Sequence, residues 1–125
     1  PLTPECQQET MAGLYRQLIS TLEEILPLLG LVLFGDPKVA KRFYRDNFAV
    51  AMDRLAMAWR EVEARYGFES ESPDISARAV MGIALVFAIE AHNNNRFDRD
   101  RAVQLASEGT IGGFFPSMDP AQLQR

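Results

Sequence analysis

The chain has one histidine, His92, and one cysteine, Cys6. A serine or cysteine nucleophile needs a histidine base near it. His92 is followed by Asn93, Asn94 and Asn95, with no acid at a useful offset. A carboxylate-bridged metal bundle would need Glu-x-x-His spacing on facing helices, but Glu90 stands two residues from His92, so the two do not share a helical face. Zinc has no Cys/His cluster to bind. The glycines of GTIGG (109–113) follow nothing strand-like, so they are not a phosphate-cradling loop. Neither an enzyme nor a cofactor or metal is expected. Glu90 and His92 are read as solvated helix-end positions, or as an anchor for a polar group or for Arg78 or Arg96 of a neighbour.

Other residue types suit recognition of apolar molecules. Methionine and aromatic side chains make adaptable apolar pockets, and Met11, Leu14, Leu18, Phe48, Met52, Leu55, Trp59 and Phe87 are expected on inner helix faces. Trp59 is the strongest single candidate, because a buried indole N–H needs a partner and can orient a ligand. For each of these the competing reading is ordinary core filling.

The elements that would position them are helices. Thr3-Pro4, Asp36-Pro37, Ser72-Pro73 and Asp119-Pro120 each place a capping side chain before a proline suited to the first helical turn. Starts are predicted near residues 4, 37 and 73. The first helix carries Met11, Leu14, Leu18, Leu22, Ile25 and Leu29 on one face, with Pro27 expected to kink or end it. The run 28–34 (LLGLVLF) is read as a short buried helix or, less favourably, a strand. From Pro37 an amphipathic pattern reaches Tyr66 through Tyr44, Phe48, Ala51, Leu55, Ala58 or Trp59, and Val62. Asp46-Asn47 is a possible interruption, and Gly67 a C-cap. A last helix, capped by Asp98 or Asp100, runs through Val103, Leu105, Ala106 and Ile111 towards Phe114, and Pro116 stops it. The tail 117–125 has little to bury. No segment alternates with period two, so the fold class is all-α: an antiparallel bundle of about five helices in one domain, residues 1–116.

The run 79–89 (AVMGIALVFAI) has no polar side chain for three turns. It is shorter than the roughly 20 apolar residues of a spanning helix, so burial in protein rather than membrane is expected. Ile75, Ala79, Gly82, Val86 and Ile89 form one face, Val80, Ile83 and Phe87 a second, and Met81, Leu85 and Ala88 a third. One layer of protein does not cover three faces. The last helix adds glycines among Ile111, Phe114 and Phe115, each costing about 1 kcal/mol against alanine and compensated if backbones approach closely. A homodimer through Ala79, Gly82, Val86, Ile89, Ile111, Gly112 and Phe115 is the expectation; the alternative is that the other helices of a four- or five-helix domain wrap this one.

Net charge is −4 and the basic residues are interleaved with acids, so no stripe is expected to hold nucleic acid by itself. A single cysteine suits a reducing compartment. With no basic n-region leading into an apolar segment, a signal peptide is not expected; the chain reads as a cytoplasmic fragment.

Three stretches together resemble the C-terminal regulatory region of TetR-family transcriptional repressors: the Asp-Pro start of DPKVAKRFYRDNFAVAMDRLAMAWREVEARYGF, the start SPDISARAV of the apolar helix, and the final helix opening near RFDRDRAV. The resemblance spans most of the chain. It implies dimerisation through the last two helices, an effector pocket for a small apolar molecule within the preceding ones, and DNA binding only through an N-terminal helix-turn-helix domain that has no counterpart here. Effector binding would weaken operator binding. The alternative reading is a stand-alone helical protein–protein interaction module, with a small helical enzyme third.

Overall fold

The computed structural model describes residues 4–66 and 72–112, and every element among them is helical. Helix α1 (Pro4–Phe34) is followed by α2 (Pro37–Phe43), a π-helical turn (Tyr44–Phe48), α3 (Ala49–Tyr66), α4 (Pro73–Asn93) and α5 (Arg99–Gly112). Because α2, the π turn and α3 are continuous, the described residues form four helical bodies rather than five. Predicted starts at residues 4, 37 and 73 hold. Asp36 accepts the Lys38 N–H at 2.9 Å, Ser72 accepts the Ile75 N–H at 3.3 Å, and Asp98 rather than Asp100 caps α5, accepting the Arg101 N–H at 3.1 Å. The Gly67 cap, the residues 113–116 and the tail lie outside the described residues.

Pro27 does not end α1, which continues through it to Phe34. Nor is the 28–34 stretch a separate buried helix: Leu31 is 74% and Phe34 90% exposed, and Val32 is buried. Gly35 closes α1, since a Cβ there would collide with the Leu31 carbonyl oxygen.

The core sits where α1 crosses α4 and α5, with α3 against α4 from another side. On α1 the fully covered line is Met11, Tyr15, Ile19 and Leu22. Leu14, Leu18, Ile25 and Leu29, expected on that line, flank it half-buried. On α3 the buried line is Met52, Ala56, Trp59 and Glu63; Trp59, predicted as the alternative to Ala58, is on it, whereas the predicted Ala51, Leu55 and Val62 each lie one position before it. Ala51 and Ala58 are exposed. From α4, Ala77, Val80, Ala84 and Ala88 enter the core. Three alanines in that line allow α1 and α3 to lie close to α4, because small side chains shorten the distance between helix axes.

The π turn explains how α2 and α3 both face inward. Stepping back from Glu63, Trp59, Ala56 and Met52 by helical intervals would bring Arg45 and Lys41 to the core. Instead Ala40 and Phe43 are the half-covered residues of α2, and Lys41 and Arg45 are exposed. The wider turn, marked by the Ala49 N–H bonding back to the Tyr44 carbonyl, adds the residue that shifts the register.

Candidate functional site: an open apolar face on the last two helices

Helix α4 keeps one of its three apolar faces uncovered. Ile75 is 69%, Val86 56% and Ile89 42% exposed, and Ala79 and Gly82 between them are also exposed. These five residues lie at intervals of four, three, four and three, so they make one stripe along the helix. From α5, Leu105 and Ile111 add exposed apolar surface. Between the helices the chain leaves a shallow hollow of about 620 Å³, lined by Ala79, Gly82, Ile83, Val86, Phe87, Leu105 and Ala106 and almost wholly apolar.

The residues predicted for an interface are thus brought together in part. Ala79, Gly82, Val86 and Ile89 share the stripe and Ile111 is exposed on the neighbouring helix, with Gly112 half-buried near its end. Phe115 lies outside the described residues. At Gly82 a Cβ would meet nothing within 4 Å, so the protomer itself gives no reason for glycine there.

The predicted ligand residues are placed differently. Met11 and Trp59 belong to the core cluster, and Leu14, Leu18 and Phe87 pack round it. Met52 is fully covered and Leu55 half-covered on α3. Phe48 does not point inward as expected; it is exposed and stacks on Tyr44, ring centroids 5.6 Å apart. Phe87 meets Phe97 at the same centroid distance, bracing the 94–98 connection against α4. Trp59 lies in the core cluster with Met11, Tyr15 and Ile19, while Phe87 also lines the hollow between α4 and α5.

Sequence reasoning missed the polar links from α1 to α5. The Tyr15 hydroxyl lies 2.6 Å from Thr110 Oγ1, and Thr110 already donates to the Ala106 carbonyl at 2.7 Å. With the threonine proton committed, Tyr15 is the donor. Burial pushes the Tyr15 hydroxyl above its ordinary pKa. Nearby, buried Ser107 donates to the Val103 carbonyl at 2.6 Å. Arg99 pairs with Glu23 at 2.6 Å, and Gln8 donates to the Gln104 carbonyl at 3.3 Å. The signal for Tyr15 was its place four residues after Met11 and four before Ile19.

Among the described residues no group of three or more His, Cys, Asp or Glu could hold a metal ion. Helix α4, with 21 residues and a mean hydropathy of 1.5 in its most apolar window, meets the length and composition of a spanning helix; its alanine line nevertheless packs on other helices of the chain. Comparison with known proteins finds no matching family model, no matching curated protein and no matching solved structure.

Proposed function

We propose that this chain is the effector-sensing and homodimerisation domain of a TetR-like transcriptional repressor. The observation that carries the reading is the uncovered stripe Ile75, Ala79, Gly82, Val86 and Ile89 beside Leu105 and Ile111. Large exposed apolar patches mark interaction sites or aggregation liabilities. A twofold mate placing the same stripe opposite would bury it isologously, and each large side chain taken from water contributes up to about 1.5–3 kcal/mol. Alanine and glycine at the middle of the stripe allow two α4 helices to approach closely.

In the intact repressor a small apolar effector would bind among the preceding helices and favour one spacing of two DNA-binding heads. An effector shifts such an equilibrium only by its difference in affinity for the two states. Cytoplasmic location belongs to the same proposal. A stand-alone interaction module would use the same stripe against a different protein.

Light scattering coupled to size-exclusion chromatography tests the dimer, the expected mass being twice 14.0 kDa. A monomer that survives concentration without aggregating would remove homodimerisation and leave the interaction module.

A further inference from the structure

Helix α2 and the start of the π turn that follows it show a second and chemically opposite surface to solvent. Lys38, Lys41, Arg42 and Arg45 are all exposed, and their intervals of three, one and three put them within roughly 100° of arc on one side of the helix. Four cations share one face in a chain whose net charge is −4. Of the two flanking acids, Asp46 pairs with Arg45 at 2.9 Å. Asp36 is engaged in capping the Lys38 N–H. Asp46 sits at the edge, where its hydrogen bond to Arg45 and the charges of Arg45 and Arg42 hold its carboxyl below the usual range. Among the described residues Lys38, Lys41 and Arg42 take part in no ion pair.

We infer that this face is a sequence-independent contact surface for the phosphate backbone of duplex DNA, an accessory to the base-reading heads of the proposed repressor; the inference rests on that reading. Two features of the fold support a polyanion as occupant. The cations extend over about 10 Å of helix axis, a length over which duplex DNA presents about six phosphate charges. The π turn holds Lys41 and Arg45 out of the core, and π turns are frequent at functional positions. A bilayer is a poorer fit, because Val39 and Tyr44 only flank the cationic sector and Ala40 and Phe43 face the protein. An inserting helix would present its apolar side outward.

Binding of this chain to a labelled duplex of arbitrary sequence, followed by fluorescence anisotropy, tests the surface. Three to four phosphate contacts, Arg45 being shared with Asp46, predict a log–log salt slope of about −3 to −4 and a loss of affinity of about 40- to 150-fold between 50 and 200 mM salt. The double variant Lys41→Ser, Arg42→Ser should reduce the slope by about 2 while keeping the helicity and the molecular mass of the parent, since both side chains are exposed. No binding at 50 mM salt, a slope unchanged in the variant, or binding to anionic phosphatidylglycerol vesicles but not to duplex overturns the inference. The mass of the unaltered chain judges the dimer separately, so failure of one reading is not mistaken for failure of the other.

Discussion

Tyr15 shows how one hydroxyl ties two helices. Its side chain is fully covered, so the O–H must find a partner, and Thr110 on α5 is that partner. Tyr15→Phe should cost about 0.5–1.5 kcal/mol at neutral pH, the usual net value of a hydrogen bond, read from urea unfolding. The same substitution has a pH signature. With the folded pKa raised by burial, the unfolded chain ionises first, near pH 10. Stability is therefore complete below that pH and declines as pH rises through the folded value. The Phe variant should lack this alkaline decline, and equal slopes for both proteins above pH 10 would contradict the assignment. At this scale the sequence was only partly legible. Tyr15 stood in the Met11, Ile19, Leu22 register, but aliphatic Leu14 and Leu18 offered an equally regular line one position away, and only packing against α5 decides between them.

At the scale of elements, capping chemistry was readable because it is local: Asp36, Ser72 and Asp98 each bond backbone within three residues. Proline was not. Pro27 removes an N–H that would bond the Glu23 carbonyl, a loss expected to break a helix, yet α1 runs on for seven residues beyond it to Phe34. Packing of α1 across α4 and α5 outweighs the local cost. Pro27 is exposed, so Pro27→Ala opens no cavity and should stabilise the protein by about 1–3 kcal/mol, the restored helix bond less the gain in unfolded-state freedom. A lower thermal midpoint for this variant would mean that α1 depends on the proline. The shift of the α3 face by one position has a similar origin. Trp59 and Met52 were assigned inward correctly, whereas Tyr44 and Phe48 were placed on that face by a 3.6-residue count carried through Asp46-Asn47, the possible interruption, where the π turn falls.

For the whole molecule, glycine separates the needs of one protomer from those of an assembly. A Cβ at Gly13 or at Gly82 meets nothing within 4 Å, so alanine at either position should raise protomer stability by up to about 1 kcal/mol. If two α4 helices touch at Gly82, Gly82→Ala should also weaken association, shifting the light-scattering mass towards the monomer at low micromolar protein, and Gly13→Ala should not. Equal behaviour of the two variants would argue against α4 as the contact. All-α architecture and the excess apolar circumference of α4 were legible, because composition and period express them directly. The face left uncovered, with Ala79, Gly82, Val86 and Ile89, is the one expected at an interface; how α1 and α3 come to cover the other two depends on packing that the sequence does not express.

The widened turn at Tyr44–Phe48 makes this protein unusually sensitive to the loss of a single codon. Removing one residue there would regularise the backbone, and the segment before it would swing by about 100° relative to α3. Lysine and arginine would be carried towards the interior and Phe43 out of it, so a deletion that improves local helical geometry would damage the fold more than many core substitutions.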